Sequence, residues 1–190
     1  DGTSFLPVLR GERDTHVTCV DKANVFKSMA FFRHVFDGVA ADTDIAADHA
    51  YVDAMSLYMV RRPETYDVMV TENMYGDILS DLGAGLIGGL GMAPSGDIGE
   101  DAAVFQPSHG TAPDIAGQGI ANPTGTILSA AMMLRWLGHR HDDDEAVAAA
   151  SRIDAAVTDV LATEGSGTPD IGGTMKTHEL GRAIATSATP

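Results

Sequence analysis

The sequence predicts an α/β protein whose sheet is only partly present in this chain. Two observations predict the class: short β-branched runs alternate with stretches of helical periodicity, and glycine- and proline-rich segments fill the intervals between them. A third points to incompleteness. The pattern supplies only two or three strands, too few for a complete doubly wound sheet.

Residues 1–16 mix Gly, Pro and charge without a period, and read as a loop or a poorly ordered terminus. HVTCVDK (16–22) is a short β-branched run ending in charge, hence a strand. Asn24 is placed to cap the next segment, where Val25, Met29, Phe32, Phe36 and Val39 recur at three- and four-residue steps, as an amphipathic helix requires. Residues 50–60 read as a second helix stopping near Arg61-Arg62-Pro63, and YDVMVTEN (66–73) as an alternating strand. The chain then runs into YGDILSDLGAGLIGGLG (75–91), helical at first and dissolving into glycines. The stretch from Gly83 to Gly99 and the segment 106–123 are expected to carry most of the irregular backbone. Residues 126–138 are apolar almost all round, which predicts a buried helix. Within 145–162, Ala146, Val147, Ala150, Ile153, Val157 and Val160 share one face of a further helix.

Composition narrows the function classes. A formal charge of −15, from 27 acidic and 12 basic residues, repels phosphate backbones and anionic lipid, so neither nucleic acid nor membrane is an expected partner. No signal-peptide pattern and no apolar run of about 20 residues occurs. Cys19 is the single cysteine and lies in an apolar stretch, so it reads as a buried structural thiol, and a reducing cytoplasmic setting is expected.

Three groups of residues can carry chemistry. Asp77 and Asp81 stand four apart in a helical pattern, which projects both carboxylates from one face ~5–6 Å apart at Cβ. Like charges at that spacing cost a helix a few tenths of a kcal/mol, and a bound divalent ion reverses the sign; hard oxygen donors suit Mg²⁺ or Mn²⁺. The bland reading is two solvated acids. The segment 106–123 offers His109, Thr111, Asp114 and Asn122 among glycines and prolines, a backbone that an anionic or planar ligand can approach closely. It is not a GxGxxG pattern, and a long Gly/Pro loop is often plain structure. Lys22, at a strand end, is either a solvated charge or a base whose pKa a nearby cation lowers. No Gly-x-Ser-x-Gly, HExxH or GxxxxGK[ST] motif occurs, which leaves hydrolase and kinase readings without support.

Taken in order, VDKANVF (20–26), HAYVDAM (49–55), TENMYGDILSDLGAGLIGGLGMAPSGDIG (71–99), HGTAPDIAGQGIANPTGTILSAAMMLRWLG (109–138) and TPDIGGTMKTHELG (168–181) resemble the isocitrate/3-isopropylmalate dehydrogenase family of β-decarboxylating dehydrogenases. The resemblance covers nearly all of the chain after residue 16 and matches the family's C-terminal half. It implies that family's fold, with residues 1–88 belonging to the small domain of dimerisation, metal and substrate, and 89–190 to the large NAD-binding domain. It implies that Lys22 acts on the substrate hydroxyl and that Asn24 reaches towards the nicotinamide. Asp53, Asp77 and Asp81 match the Mg²⁺/Mn²⁺ ligands, and the loop holding His109, Gly110, Thr111, Ala112, Asp114, Ile115 and Asn122 matches the adenosine site. Its Pro-Asp-Ile form resembles the NAD-using branch. Lys22 and Asp53 belong, in the family, to the partner subunit's active site, so a homodimer is implied.

The activity implied is metal-dependent oxidative decarboxylation of a 2-hydroxy acid of the isopropylmalate or isocitrate class. The departures are specific. The serine/asparagine/multi-arginine motif that binds substrate carboxylates is not matched, nor is the product-protonating tyrosine, since Tyr51, Tyr58, Tyr66 and Tyr75 stand in other contexts. Gln106 stands where a glutamate is common. The alternative reading is a non-catalytic regulatory or structural subunit of a hetero-oligomeric dehydrogenase; a stand-alone nucleotide-binding module is the third.

Overall fold

A computed structural model describes residues 15–189, so the reading of 1–14 as loop lies outside the described residues. The chain divides into two compact units that meet in sequence at Leu86/Ile87.

The first unit is built on three parallel strands. β1 (His16–Asp21) is central, flanked by β2 (Ala46–Tyr51) and β3 (Val68–Thr71). Register pairs Asp21 with Tyr51 and Val20 with Thr71, so the strands end together at one edge. Helix α1 (Lys27–Ala40) makes the crossover from β1, and α2 (Val52–Arg61) leaves β2 without a connecting loop. A 3₁₀ turn, Pro63–Thr65, leads to β3, and α3 (Asn73–Leu86) follows it. Val20, Met55 and Leu79 form the core, one residue each from β1, α2 and α3. Helix α1 buries none of its residues fully: Phe32 and Phe36 line an apolar groove of about 380 Å³ against Val17 and Val70.

The second unit opens with a short 3₁₀ turn and an antiparallel pair, β4 (Pro94–Ile98) and β5 (Ala103–Pro107). Three helices follow: α4 (Thr124–His141), α5 (Asp144–Leu161) and α6 (Thr177–Ala188). Ala156, Val157, Leu180 and Ile184 make the core, with Ile127, Leu128 and Met175 packed on it. The turn from α4 to α5 is tight. Asp142 sits in the left-handed region at φ 53°, and Gly138 is close enough that a Cβ there would lie 2.6 Å from Val147 Cγ2. Asp143 caps α5, accepting from the Glu145 and Ala146 amides at 3.0 and 3.1 Å.

Four elements differ from the sequence reading. β2 ends at Tyr51 and the helix begins only at Val52, because pairing with β1 holds AADHAY extended despite its alanines. β4 lies within the stretch from Gly83 to Gly99 read as irregular, and β5 falls mostly in residues 100–105, for which the sequence predicts no element; Phe105 covers Gly96 in that hairpin, its ring 3.0 Å from where a Cβ would stand. Helix α6 was not anticipated. Asn24 lies in a turn ahead of α1 and does not cap it, since the helix begins at Lys27 and Phe26 occupies the cap position without a side-chain bond. Among the described residues no helix is long and apolar enough to cross a membrane.

Candidate active site

The first group of site residues gathers where β1 and β2 end. Lys22 directly follows β1, and Asp53 is in the first turn of α2. They are 31 residues apart in sequence, yet Lys22 Nζ donates directly to Asp53 Oδ1. That hydrogen bond from the ammonium, with the backbone amides at the helix start, holds the Asp53 carboxyl below its ordinary range. Lys22 Nζ also stands 5.7 Å from the centre of the Tyr51 ring. Asn24 is exposed in the turn between β1 and α1.

Two further residues enter this region that the sequence did not single out. Asp21, 0% exposed, accepts from Arg33 Nε at 2.7 Å and Arg33 Nη2 at 2.8 Å. Burial pushes its carboxyl up, but the Arg33 guanidinium and the Ala23 amide outweigh burial and hold it below the ordinary value. Cys19 packs beside it with its thiol pushed up to about 12, first by burial and then by the Asp21 charge. That agrees with the structural, non-nucleophilic reading of Cys19.

Asp77 and Asp81 project from the exposed side of α3, and the Asn73 amide donates to Asp77 Oδ2 at 3.3 Å. Since α3 begins at Asn73, they lie in its second and third turns. The helix dipole therefore gives these carboxylates no support, because that field fades beyond the first turn. Among the described residues no three His, Cys, Asp or Glu side chains come together as a metal-holding group. One copy of the chain brings Lys22 to Asp53 and keeps Asp77 beside Asp81, and it does not join the two pairs.

The second group lines a cavity of about 760 Å³ in the other unit, within the size of small-molecule sites. His109, Gly110, Thr111, Ala112, Ile115 and Asn122 border it, and Asp114 sits in the same 3₁₀ turn, Pro113–Ile115. That turn is entered through Ala112 at φ 42°, a left-handed position unusual for a residue with a side chain. His109 Nδ1 is 2.9 Å from the Gly110 carbonyl oxygen. The loop is pinned to α6, where Thr177 donates through its amide to Gly119 O at 2.9 Å and through its hydroxyl to Ala121 O at 2.6 Å. Asn122 is buried; its amide nitrogen donates to Asp170 Oδ2 at 3.1 Å, and its oxygen accepts from the Thr124 amide at 3.0 Å.

Asp170, Thr177, Leu90 and Gly91 also border the cavity and went unread in the sequence. A signal existed. Pro-Asp-Ile occurs at 113–115 and again at 169–171, and both copies form 3₁₀ turns. Gln106 is exposed on β5 and lends its carbonyl to the Ser129 hydroxyl at 2.8 Å.

A parallel sheet with a lysine–aspartate pair at its strand ends and a second unit holding a glycine-lined cavity define an α/β protein with a candidate binding surface in each unit. Comparison makes the class specific: the isocitrate/isopropylmalate dehydrogenase family model matches residues 8–184, and the chain belongs to that family. It is 47% identical over 175 residues to a 3-isopropylmalate/3-methylmalate dehydrogenase of Methanocaldococcus jannaschii, covering 91% of this chain and 50% of that protein. It is 45% identical over 185 residues to an isocitrate/homoisocitrate dehydrogenase of Thermus thermophilus, covering 96% and 53%. The crystal structure of isocitrate dehydrogenase from Methylococcus capsulatus superposes with a TM-score of 0.82 at 43% identity, covering 98% of this chain and 54% of that one. The chain therefore spans about half the length of these relatives.

Proposed function

We propose that this chain carries the metal side and the coenzyme side of an NAD-dependent oxidative decarboxylase. Its substrate is a 2-hydroxy acid with a carboxyl group on C3, the chemistry shared by the substrates in its relatives' names. The observation that carries the reading is the contact of Lys22 with Asp53 at the carboxyl ends of parallel strands, where open α/β sheets bind ligands. On this reading the unit ending at Leu86 belongs to the small domain, and the unit from Ile87 to the NAD-binding domain.

The donor set fits a hard divalent cation. Asp77 and Asp81 are exposed carboxylates one helical turn apart, and Asp53 is an exposed carboxylate kept ionised by Lys22. They fit as two half-sites: Asp77 and Asp81 from one copy would hold Mg²⁺ or Mn²⁺ together with Asp53 from a second, which makes the active form a homodimer. The cavity fits the adenosine part of NAD, with Gly110, Gly117 and Gly119 leaving space that a Cβ would not crowd. Asp114, in the turn beside the cavity, would accept from a ribose hydroxyl and repel a 2′-phosphate.

Bound metal supplies Lewis-acid polarisation of a substrate oxygen, and bound NAD supplies the hydride acceptor. The chain's own groups do the rest. Once its ammonium has released a proton to solvent, Lys22 Nζ takes the proton of the C2 hydroxyl while the C2 hydrogen leaves as hydride. Asp53 holds that nitrogen in place beforehand. Asn24 would contact a nicotinamide, and in the second unit Asn122, His109 and the 110–119 backbone would hold an adenosine. The 2-oxo acid so formed carries a carboxylate β to the new carbonyl and loses it as CO₂, the electron pair of the broken C–C bond passing into the enolate, which then takes a proton at C3 from water.

The test is reduction of NAD⁺ by the full-length protein with Mg²⁺ or Mn²⁺, offered 3-isopropylmalate, isocitrate, D-malate and tartrate in turn. One member of the panel is expected to be turned over. Silence across all four, with protein shown to be folded and dimeric, overturns the proposal.

A further inference from the structure

We propose that Asp21, acting through Arg33, is the positioning device that sets the aim of Lys22 and of the turn carrying Asn24. The inference rests on the reading of Lys22 as the proton acceptor.

Asp21 is the last residue of β1 and is wholly buried. Its Oδ1 accepts from the Ala23 amide at 2.8 Å and from Arg33 Nη2 at 2.8 Å; its Oδ2 accepts from Arg33 Nε at 2.7 Å. Apart from the Cys19 thiol, which donates to Oδ2 at 3.7 Å from within β1, every donor on it belongs either to the turn beyond Lys22 or to α1. The carboxylate ties residue 21 to residue 23 across Lys22, and ties the strand end to the second turn of the helix that Asn24 precedes. A parallel N–H fork onto a carboxylate fixes direction as well as distance, which a single ammonium cannot do.

A second link reaches Lys22 itself. The Arg33 guanidinium lies 5.4 Å from the centre of the Tyr51 ring, and Lys22 Nζ lies 5.7 Å from the same centre. Two cations thus share one ring, and Tyr51 precedes Asp53, the acceptor of Lys22, by two residues. Lys22 is held by its backbone through Asp21, by its tip through Asp53, and alongside by the ring that Arg33 also contacts. A buried ion pair carries a desolvation cost that apolar side chains of similar volume would not. An apolar pair would therefore serve the sheet–helix contact at least as well, whereas it could not fix the direction of the turn.

The experiment uses the full-length protein with NAD⁺, Mg²⁺ and whichever of 3-isopropylmalate and isocitrate it oxidises. Arg33→Lys, which keeps the charge and loses the fork, is expected to lower kcat by roughly 10–100-fold while both KM values stay within about twofold. Arg33→Ala is expected to be slower still, with added guanidinium restoring part of kcat. Full kcat in Arg33→Lys overturns the proposal, as does a loss in Arg33→Ala that guanidinium does not touch. Should Arg33→Ala fail to fold, Arg33→Lys decides alone; failure of both to fold makes the pair purely structural and also overturns it. Lys22→Ala separates the layers. Turnover retained there overturns the functional reading underneath, whereas a dead Lys22→Ala beside a fully active Arg33→Lys overturns only the positioning role.

Discussion

The two units reach a binding surface by opposite means. Up to Leu86 the chain works with charged side chains: Lys22 on Asp53, Arg33 on Asp21, and Asp77 beside Asp81. From Ile87 onward it works with backbone: a left-handed Ala112, open glycines, and a loop pinned by Thr177. On the proposed reading the first surface serves a reacting centre, where charge develops and must be met, and the second a ligand's inert end, where shape and hydrogen bonds suffice. Damage to the first should appear in turnover, and damage to the second in coenzyme affinity.

The largest expected effect follows from the acidic pair. Asp77→Asn is expected to cut metal-dependent turnover by ~10³-fold or more, several kcal/mol of transition-state stabilisation. Without metal the same variant should be as stable as the parent or a few tenths of a kcal/mol more so, because like-charge repulsion at i,i+4 is removed. Steady-state rates across a Mg²⁺ titration, with melting curves in EDTA, check both halves. Normal metal-dependent turnover would remove Asp77 from the metal site.

The matching break in the second unit is Gly91→Ala. A Cβ there would stand 2.8 Å from Asn122 Cβ and 2.9 Å from Asp170 Oδ2, so it must part the pair that borders the cavity. The KM for NAD is expected to rise on the order of tenfold, about 1.4 kcal/mol, with kcat little changed. A kcat loss with unchanged KM would mean that the second surface is not confined to binding, and the contrast would fail.

How far sequence carried each region follows the same division. Carboxylates and lysines are legible because spacing and charge announce them, and the Asp77/Asp81 pair is visible from the four-residue step alone. Asp21 looked like an ordinary strand-end acid beside Lys22. Its burial and its pairing with Arg33, 12 residues on, depend on α1 folding back over β1, which periodicity does not report. β2 was hidden because its alanines and acid carry little strand preference; its extended form comes from β1. Likewise β4 holds Pro94 and Gly96, and its strand character comes from β5 and the cover of Phe105. The cavity wall at Asp170 joins residues 48 apart, and the repeated Pro-Asp-Ile is the one local trace of it. Where a distant partner sets the element the reading stopped short, and α6 went unread although Leu180 and Ile184 stand four apart on its buried face.

Stability against pH sharpens the contrast further, since buried ionisable groups cluster in the first unit. The Cys19 thiol is raised from 9.0 to about 12 by burial and the Asp21 charge. A raised pKa means that the folded state holds the proton more tightly. The contribution is therefore complete below about pH 9 and is lost as pH climbs from there toward about 12, at roughly 1.4 kcal/mol per pH unit. Asp21 works in the other direction: its carboxyl is lowered, so its contribution is present above the ordinary carboxylate range and is lost as pH falls below it. Cys19→Ala should flatten the alkaline slope relative to the parent. Denaturant midpoints measured at about pH 8, 9 and 10, around the thiol's ordinary value of 9.0, test this, and equal slopes in the two proteins would refute it.

The smallest effect belongs to the second unit and is local. Asp143 accepts from the Glu145 and Ala146 amides at the start of α5, so Asp143→Ala should cost about 1 kcal/mol through the lost cap. A helix cap touches no reacting group and lies outside the residues that line the cavity. Thermal unfolding should therefore shift down while kcat and the KM for NAD stay put at low temperature. A change in the KM for NAD would instead mean that α5 transmits to the cavity through α6, against which it packs around Leu180 and Ile184. In that event the second unit would share the first one's dependence on exact aim, and the division between a reacting surface and a passive one would need to be redrawn.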